Sequence, residues 1–289
     1  MRPTAYSALR LCWLLLLVPS LLQAASGRLL ATGGGSMIEG GSGGGIVPWA
    51  TIAGYSTEGE WGGAAFATHV DSGDYQLDSR GLALGWSNRL ELSVSDQRFE
   101  LPTLAAALDL PTDRFRQRVI GAKLRLYGDL VYDDWPQLSF GLQYKKQRDF
   151  LVPSLVGAAE DSDYDLYLAA SRLWLGTAGG RNLLTNITLR STRGNQTGLL
   201  GFGGDRKGSR SLLAEGSIAV LLNRHFAVGA EYRQKPNNLR FAREDDWRDL
   251  FVAWFPNKSV SIVAAWADLG SIAGLSGQEA WYVSIQFSR

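Results

Sequence analysis

The last nine residues, Trp281-Tyr282-Val283-Ser284-Ile285-Gln286-Phe287-Ser288-Arg289, show the pattern that decides the fold. Apolar residues occupy the odd positions from 281 to 287, and polar or amphipathic residues occupy the even positions between them. Because side chains alternate along a β-strand, this segment has one apolar and one polar face. The pattern recurs about a dozen times with no helical segment to cover the apolar faces. A closed antiparallel transmembrane β-barrel, apolar toward lipid and polar toward its lumen, is the predicted fold.

Composition agrees with a membrane barrel and argues against other classes. The chain has 289 residues, a mean hydropathy of -0.07, and no apolar run of transmembrane-helix length after its N-terminal leader. It contains 34 glycines, which suit tight turns, and 10 tryptophans, which suit membrane interfaces. The net charge is +1, from 29 basic and 28 acidic residues, so nothing in the charge balance favours nucleic acid.

The N-terminus has the features of a secretory leader, and residues 1–24 are predicted to be a signal peptide. Arg2 and Arg10 supply the basic region, and the apolar core runs from Leu11 to Leu22. The single cysteine, Cys12, lies inside this leader. The predicted mature domain, residues 25–289, therefore has no disulfide, and barrel closure must stabilise the exported chain instead.

The connections between predicted strands fall into two alternating length classes. Short turns are predicted near 87–89, 133–136, 177–180, 223–224 and 256–258, and long loops at 100–113, 149–162, 193–208, 236–245 and 269–279. Bacterial outer-membrane barrels place short turns in the periplasm and long loops outside. We therefore expect a bacterial outer-membrane location, an even strand number and both termini in the periplasm.

The strand number depends on the glycine-rich segment 28–45. If residues 28–38 and 46–55 are strands, the barrel has about 14 strands. If the segment is instead a plug or a flexible arm, the barrel has 12. The first clear strand begins at residue 61, where Ala64, Phe66, Thr68 and Val70 are predicted to face outward.

Aromatic residues mark two predicted membrane interfaces, because amphipathic rings prefer the headgroup region. The predicted interface tryptophans are Trp86, Trp135, Trp174 and Trp254 beside short turns, and Trp266 and Trp281 beside long loops. Phe99 and Trp247 are expected in the same girdle as the last two.

Three stretches resemble a known family. They are Leu30-Ala31-Thr32-Gly33-Gly34 with Ile38-Glu39-Gly40 and Gly43-Gly44-Gly45-Ile46-Val47-Pro48-Trp49-Ala50, then Asp74-Tyr75-Gln76-Leu77-Asp78-Ser79, and then Glu91-Leu92-Ser93 with Gln97-Arg98-Phe99. Together they resemble an uncharacterised family of Gram-negative envelope proteins, the domain-of-unknown-function family 3034. The resemblance covers nearly all of the mature chain. It implies an envelope barrel and carries no activity to transfer.

Charged residues at inward positions are the main candidate site. The predicted lumen-facing charges are Glu91, Lys123, Arg125, Lys145, Asp163, Asp165, Arg190, Glu215, Glu231 and Arg233. Acidic and basic residues on adjacent strands should pair across a narrow lumen, whereas a strongly selective pore would show one dominant sign. The mixture predicts a small or plugged lumen.

Candidate catalytic and metal-binding groups are weak, and we expect no enzyme activity, cofactor or metal. His69 is predicted to point inward near Asp71 and Ser72, but these three residues have no fixed geometry. Asp161-Ser162-Asp163-Tyr164-Asp165 begins like a calcium loop but lacks the glycine and the final glutamate. Residues 101–111 have helical spacing, and residues 198–207 are expected to be a flexible extracellular loop.

A passive channel or transporter for small solutes is the function that these features favour. One alternative is a structural or interaction barrel without an open pore, which would present residues 100–113 and 193–208 outside. Another is uptake of apolar solutes through a lumen that the N-terminal segment gates. The expected partners are outer-membrane lipid and lipopolysaccharide, the barrel-insertion machinery and a small-molecule solute, with no nucleic acid.

Overall fold

The computed structural model describes residues 28–289, so the predicted signal peptide lies outside the described residues. Its strands in chain order are β1 (Gly35–Ser36), β2 (Ser42–Gly43), β3 (Trp61–Asp71), β4 (Gln76–Trp86), β5 (Leu90–Glu100), β6 (Arg114–Tyr127), β7 (Gln137–Gln147), β8 (Ala158–Glu160), β9 (Ser162–Ala178), β10 (Arg181–Thr192), β11 (Phe202–Gly204), β12 (Ser211–Leu221), β13 (Phe226–Arg233), β14 (Trp247–Asn257), β15 (Val260–Asp268) and β16 (Glu279–Ser288). Two short helices, Pro102–Leu108 and Leu151–Leu155, lie in loops.

Twelve of these strands form a closed antiparallel barrel, in the order β3–β7, β9, β10 and β12–β16. Pairing between β16 and β3, for example Val283 opposite His69, closes it. The expected 14 strands are wrong and the alternative of 12 is correct. Residues 28–56 add only the two-residue strands β1 and β2, which pair with each other. Their glycines offer no apolar side chains to face lipid, so this segment cannot extend the wall.

Most short connections lie at one end of the barrel and most long ones at the other; the exceptions are 128–136, nine residues at the short-turn end, and 72–75, four residues at the long-loop end. At the short-turn end, residues 87–89, 128–136, 179–180, 222–225 and 258–259 join the strands. At the long-loop end, the connections are 72–75, 101–113, 148–161, 193–210, 234–246 and 269–278. The segment before β3 and the last residue both lie at the short-turn end, where the Tyr55 amide donates to the Arg289 carbonyl at 3.1 Å.

The outward face of the wall is apolar over most of its circumference. Leu84, Leu92, Ile120, Ile187 and Val283 all point away from the lumen and are more than half exposed. Water does not favour so large an apolar surface, and a closed barrel leaves no backbone edge unpaired, so the geometry is that of an outer-membrane β-barrel. Among residues 28–289, no helix is both long and apolar enough to cross a bilayer.

The predicted outward face of β3 is wrong by one residue. Ala64, Phe66, Thr68 and Val70 point into the lumen, where Phe66 is 5% exposed, and the outward positions carry small residues such as Ala65. Phe66 packs against Gly81 on the neighbouring strand, where an added Cβ would lie 2.7 Å from the Phe66 ring. The larger residues of β3 therefore lie on its inner face, where Phe66 fills the space beside a glycine. Their alternation in the sequence looks like that of a lipid-facing strand.

Most of the predicted interface aromatics lie on the outer surface. Trp86, Trp135, Trp174, Trp254 and Trp281 are 40–68% exposed, and Trp266 is half-buried on the same face. The position of these six rings relative to a bilayer stays a prediction.

Phe99 and Trp247 are corrections to this girdle. Both point inward and are 5% exposed, because their strands carry arginine at the adjoining outward positions, Arg98 and Arg248. Trp61, at the start of β3, is an outward ring that the sequence did not indicate, and it lies 6.3 Å from Trp86.

A charge on the apolar outer face tests the membrane placement. We expect Ile187→Arg to lower the free energy of unfolding from vesicles by about 2–4 kcal/mol, because the guanidinium would enter hydrocarbon. Thr177→Arg, at the short-turn tip beyond Trp174, should change it by less than about 1 kcal/mol. Urea titrations of the two variants in lipid vesicles measure the difference, and equal effects would contradict the placement.

Candidate functional site

Residues 28–56, called the plug here, occupy the lumen. They enter and leave at the short-turn end, and Met37, Val47, Ile52 and Ser56 have no measurable exposure. The plug has little secondary structure of its own, so most of its buried backbone N–H and C=O groups need partners elsewhere. The polar side chains of the barrel wall supply them.

The centre of the site is Glu39, at the inner tip of the plug. Its carboxylate accepts hydrogen bonds from Arg233 Nη1 at 2.7 Å and from Lys145 Nζ, and it lies 3.7 Å from Arg190 Nη2. These cations come from β13, β7 and β10, three separate regions of the wall. Each of the four side chains is at most 4% exposed.

Two wall carboxylates complete this group, called the Glu39 cluster. Asp165 lies 2.7 Å from Lys145 and 3.3 Å from Arg190, and Glu215 lies 2.5 Å from Arg190 Nε. The wall alone contributes three cations and two anions, so Glu39 brings the buried cluster to neutrality. A buried uncompensated charge is costly, so the wall electrostatically favours the plugged state.

A second group of contacts lies nearer the short-turn end, where Glu91 and Lys123 pair at 3.3 Å. Glu91 accepts hydrogen bonds from the amides of Ser42 and Ala53, at 3.2 and 2.8 Å. Lys123 donates to the carbonyls of Ser42 and Thr51, at 2.8 and 2.9 Å. One ion pair of the wall therefore forms hydrogen bonds with the backbone of two plug segments, at Ser42 and at Thr51 to Ala53.

A third group explains part of the glycine run. The carboxylate of Glu231 accepts from the amides of Gly45 and Ile46, at 2.7 and 2.8 Å. A Cβ added to Gly44 would lie 1.9 Å from a Glu231 oxygen, and one added to Gly45 would lie 2.0 Å from the Tyr282 hydroxyl. Only glycine lets the backbone come this close to the wall.

Uncharged wall side chains satisfy further plug carbonyls. Each of these bonds is 3.2 Å or shorter, and they come from Ser79 and Gln97 to Ile38, from Gln137 and Ser139 to Ala50, and from Asn186 and Thr188 to Pro48. The donors belong to four strands, β4, β5, β7 and β10. Contacts from Lys123 on β6 and Glu231 on β13 extend the binding of the plug around the lumen.

The loop between β10 and β11 covers the plug from the long-loop end. Residues 195–200, called the lid here, are all buried. The flexible extracellular loop expected at 198–207 is therefore wrong for residues 198–203, which are buried. The carbonyl of Thr197 accepts from Lys145 Nζ at 3.2 Å. Gln196 and Thr197 hold the left-handed backbone conformation, with φ of 44° and 60°, which is strained for non-glycine residues. Lys145 thus connects plug, wall and lid.

Loop 234–246 fixes the lid in turn. Lys235 Nζ lies 2.8 Å from Glu244 and donates to Gln196 Oε1 at 3.0 Å. Burial lowers the pKa of the Lys235 ammonium, and the Glu244 charge opposes that shift. The amide of Gln196 also donates to Glu244 at 2.9 Å. A buried charged pair therefore holds the strained lid in place.

Two small apolar cavities remain inside the barrel, one on each side of the Glu39 cluster. The cavity at the short-turn end has a volume of about 50 Å³ and lies between Leu30, Trp49, Leu184 and Phe251. The cavity at the long-loop end is of similar size and lies between Ile38, Phe99, Leu269 and Tyr282. Each has room for a few water-sized molecules, well short of a typical ligand pocket of about 300 Å³ or more.

An apolar stripe on the inner wall connects the two cavities. Its members are inward residues of β14 and β15, namely Phe251, Ala253 and Phe255, and Val263, Ala265 and Ala267. Outer-membrane barrels normally have a polar interior. Here the polar wall faces the backbone of the plug, and the apolar stripe follows the remaining side, where the buried Asp249 opposite Ala267 is its one charged neighbour among the described residues of β14 and β15.

The predicted lumen-facing charges do not all lie together. Lys145, Asp165, Arg190, Glu215 and Arg233 form the Glu39 cluster, whereas Glu91, Lys123 and Glu231 bind the plug backbone separately. The other two lie near the ends of the barrel. Asp163 pairs with Arg193 and Arg210 at 2.6 and 2.8 Å, and Arg125 is 24% exposed and lies 3.5 Å from Asp129.

Sequence reasoning missed Glu39 as a functional residue. A signal was present, because Glu39 is the only charged residue between Arg28 and Glu58. A single carboxylate in a glycine-rich segment needs a cationic partner if the segment is buried. Asp249, which accepts from the Glu231 amide at 3.1 Å, was also missed because the phase of β14 could not be read from its sequence.

The weak catalytic candidates are not brought together. His69 points outward and lies 2.7 Å from Asp78, which corrects the predicted inward orientation. Ser72 Oγ instead donates to Gln278 Oε1 at 2.9 Å. Within residues 28–289, no group of three or more histidine, cysteine or acidic side chains is arranged to hold a metal ion.

The glycine-rich plug and the barrel that surrounds it belong to one sequence family. A family model described as a protein of unknown function, DUF3034, matches residues 32–286. The chain belongs to this family. The match spans both the plug and the wall, so the DUF3034 unit includes its own lumen-filling segment. No curated protein matches the sequence.

Several solved β-barrels are similar in architecture at low sequence identity. The KdgM porin is 12% identical with a TM-score of 0.49, and the alignment covers 78% of this chain and 98% of that one. The NanC porin is 11% identical with a TM-score of 0.48, and the alignment covers 78% of this chain and 98% of that one. Omp33 of Acinetobacter baumannii is 8% identical with a TM-score of 0.45, and the alignment covers 80% of this chain and 98% of that one. At these values, none of the three carries information about a solute of the DUF3034 barrel.

Two neighbouring cations of β6 test the binding of the plug. We expect Lys123→Ala to destabilise the seated plug by about 2–4 kcal/mol, because it leaves Glu91 buried and two carbonyls without a donor. Arg125→Ala removes a partly exposed pair and should cost less than about 1 kcal/mol. Hydrogen exchange of the amides between 38 and 53 measures both, and equal protection in the two variants would contradict the assignment.

Proposed function

We propose that this protein is a gated channel of the bacterial outer membrane, with both termini in the periplasm and the plug as its gate. The observation that carries this proposal is the Glu39 cluster. A single carboxylate on the plug neutralises the three cations and two anions of the wall that form this cluster, which otherwise has one excess buried positive charge. A segment whose seating depends on a single charge can leave when that charge is neutralised or displaced.

The construction of the barrel supports a gate rather than a permanent core. The wall closes through strand pairing between β16 and β3, which involves no plug residue. The plug is bound mainly by hydrogen bonds between wall side chains and its backbone. Its own hairpin is short, with two residues in each strand. Withdrawal of the plug would therefore break no hydrogen bond of the barrel ladder.

Single-channel recording in planar bilayers tests the gate. We expect the wild-type protein to be mostly silent and Glu39→Gln to open frequently, because the amide keeps the shape of the side chain but removes its charge. The matched control is Glu58→Gln, which removes the same charge from an exposed residue outside the lumen. Deletion of residues 28–56, the whole plug, should give steady conductance.

The outcomes separate the candidate functions. Silence of the deletion variant, with the barrel shown to be folded by heat-modifiable gel mobility, would contradict the channel and leave a structural or interaction role. Steady conductance of the wild-type protein would contradict the gate and support a passive open channel.

The apolar stripe favours apolar solutes over ions as cargo. It runs between the two cavities past the Glu39 cluster, and a solute that followed it would meet methyl groups and aromatic rings. Apart from the neighbouring acids Glu231 and Asp249, the buried lumen charges of the described residues are paired with one another or with Glu39 and their loops, which leaves no long row of one sign to select ions. The small cavity volumes agree with a gate, since a solute could pass only after the plug shifts.

Binding of an apolar fluorophore to the Glu39→Gln variant tests the solute class. Naphthalene-type probes should accept energy from Trp49, beside the cavity at the short-turn end. We expect Ala253→Leu with Ala267→Leu in that background to weaken binding by about tenfold, because added methyl groups fill the stripe. Ala122→Leu with Ala264→Leu, both on the outer face, adds the same volume toward lipid and should change nothing. Equal affinity in both would exclude the stripe as the path.

A further inference from the structure

A second charged region lies on the outer face of the barrel, away from the lumen. Strands β4 to β7 carry an apolar row at Leu82, Val94, Ile120 and Tyr144, which are aligned across the sheet. The next outward row toward the long-loop end is Arg80, Asp96, Arg118 and Lys146, aligned in the same way. The following row contains Asp78, Arg98 and Arg116. The outer face thus changes from apolar to charged within one step along the strands.

The charged rows begin at the depth of the membrane. Arg80 is six residues from Trp86, which marks the short-turn interface, and a tilted strand rises only ~14 Å over that length. The apolar band of an outer-membrane barrel is about 25 Å tall. On β16, which is separated from β4 by β3, the positions in line with these rows are Ile285 and Val283, which are apolar and exposed on the outer face. The charges therefore border lipid instead of lying clear of it.

The region forms a groove with an excess of arginine. Its volume is about 1000 Å³, and its lining includes Arg80, Arg98, Arg114, Arg116, Arg118 and Arg148, against the carboxylates of Asp78, Asp96 and Asp149. His69 lies at its edge. The lining therefore has three more arginines than acidic residues.

The arginines differ in their existing partners. Arg118 binds Asp96 with two bonds of 2.9 Å, and Arg116 binds Asp149 at 2.9 and 3.1 Å. Arg98 and Arg114 pair with Glu100 and Asp113 beside the groove. Within the part of the chain that the structure describes, Arg80 and Arg148 line the groove without forming an ion pair. The groove therefore holds four paired guanidinium groups and two unpaired ones.

We propose that this groove binds the phosphorylated sugar headgroup of lipid A, the glycolipid anchor of lipopolysaccharide, on the outer surface of the barrel. Arginine matches phosphate geometry with paired N–H donors, and such bonds are strong where water is partly excluded. The apolar row beneath the groove would contact the acyl chains of the same molecule. This binding site is independent of the gated lumen and needs only the membrane placement of the barrel.

Charge complementarity and position together favour a lipid over a soluble partner. A soluble anion would gain nothing from the row of Leu82, Val94 and Ile120 directly below the arginines. A bilayer lipid without phosphates on its headgroup would leave Arg80 unpaired at membrane depth, which costs free energy. A phosphorylated glycolipid satisfies both surfaces at once.

Native mass spectrometry of the full-length protein in detergent tests this site with bisphosphorylated lipid A. We expect Arg80→Gln with Arg148→Gln to weaken lipid A binding by about tenfold or more. These two positions hold no ion pair in the described chain, so their substitution leaves no carboxylate without its partner. The matched control is Arg206→Gln with Arg240→Gln, two exposed loop arginines at the same end of the barrel. It should leave affinity within about twofold.

Two further probes define the ligand chemistry. Dephosphorylated lipid A should bind at least about tenfold more weakly to the wild-type protein, and inorganic pyrophosphate should not compete at equal concentration. Equal loss in the two double variants, or undiminished binding in the groove variant, would overturn the site. Binding of dephosphorylated lipid A at full strength would overturn headgroup recognition. Effective competition by pyrophosphate would make the groove a site for free phosphate rather than for a lipid.

Discussion

The need to pair buried backbone groups governs the interior of this barrel. A glycine-rich segment without regular secondary structure lies in the lumen, and each of its buried amides and carbonyls needs a partner. Carboxylates of the wall, Glu91 and Glu231, accept hydrogen bonds from plug amides, and Lys123 donates hydrogen bonds to plug carbonyls. Positions 44 and 45 of the plug must be glycine, because any side chain there would collide with the wall.

The same constraint divides the lumen into two surfaces. Polar wall residues lie where the plug backbone passes, and the remaining side, on β14 and β15, is apolar except for Asp249 and Ser261. Between the ends lies a neutral cluster in which Glu39 is the only charge that the plug contributes. The plug therefore contributes little side-chain chemistry beyond one carboxylate, and its backbone carries most of its interactions.

Closure at the two ends is physically connected. Lys145 binds the plug through Glu39, the wall through Asp165 and the lid through the Thr197 carbonyl. The lid adjoins this lysine in a strained backbone conformation, which persists only because its surroundings fix it. Movement of the plug would remove one of the partners that hold Lys145 in position, so a change at the short-turn end can reach the long-loop end through a single side chain.

The amino-acid sequence by itself determined the barrel, the alternation of short and long connections and the apolar outer face of most strands, because these follow from a two-residue period that lipid and lumen impose locally. It failed for β3, where small outward residues and an inward Phe66 reversed the apparent pattern, and it overestimated the strand number. Only the tertiary structure decided that residues 28–56 fill the lumen, that Glu39 joins three cations from β7, β10 and β13, and that the segment around Thr197 turns inward. These contacts join residues 50 to 200 positions apart, and the periodicity of a strand carries no record of which distant side chains the closed barrel brings together.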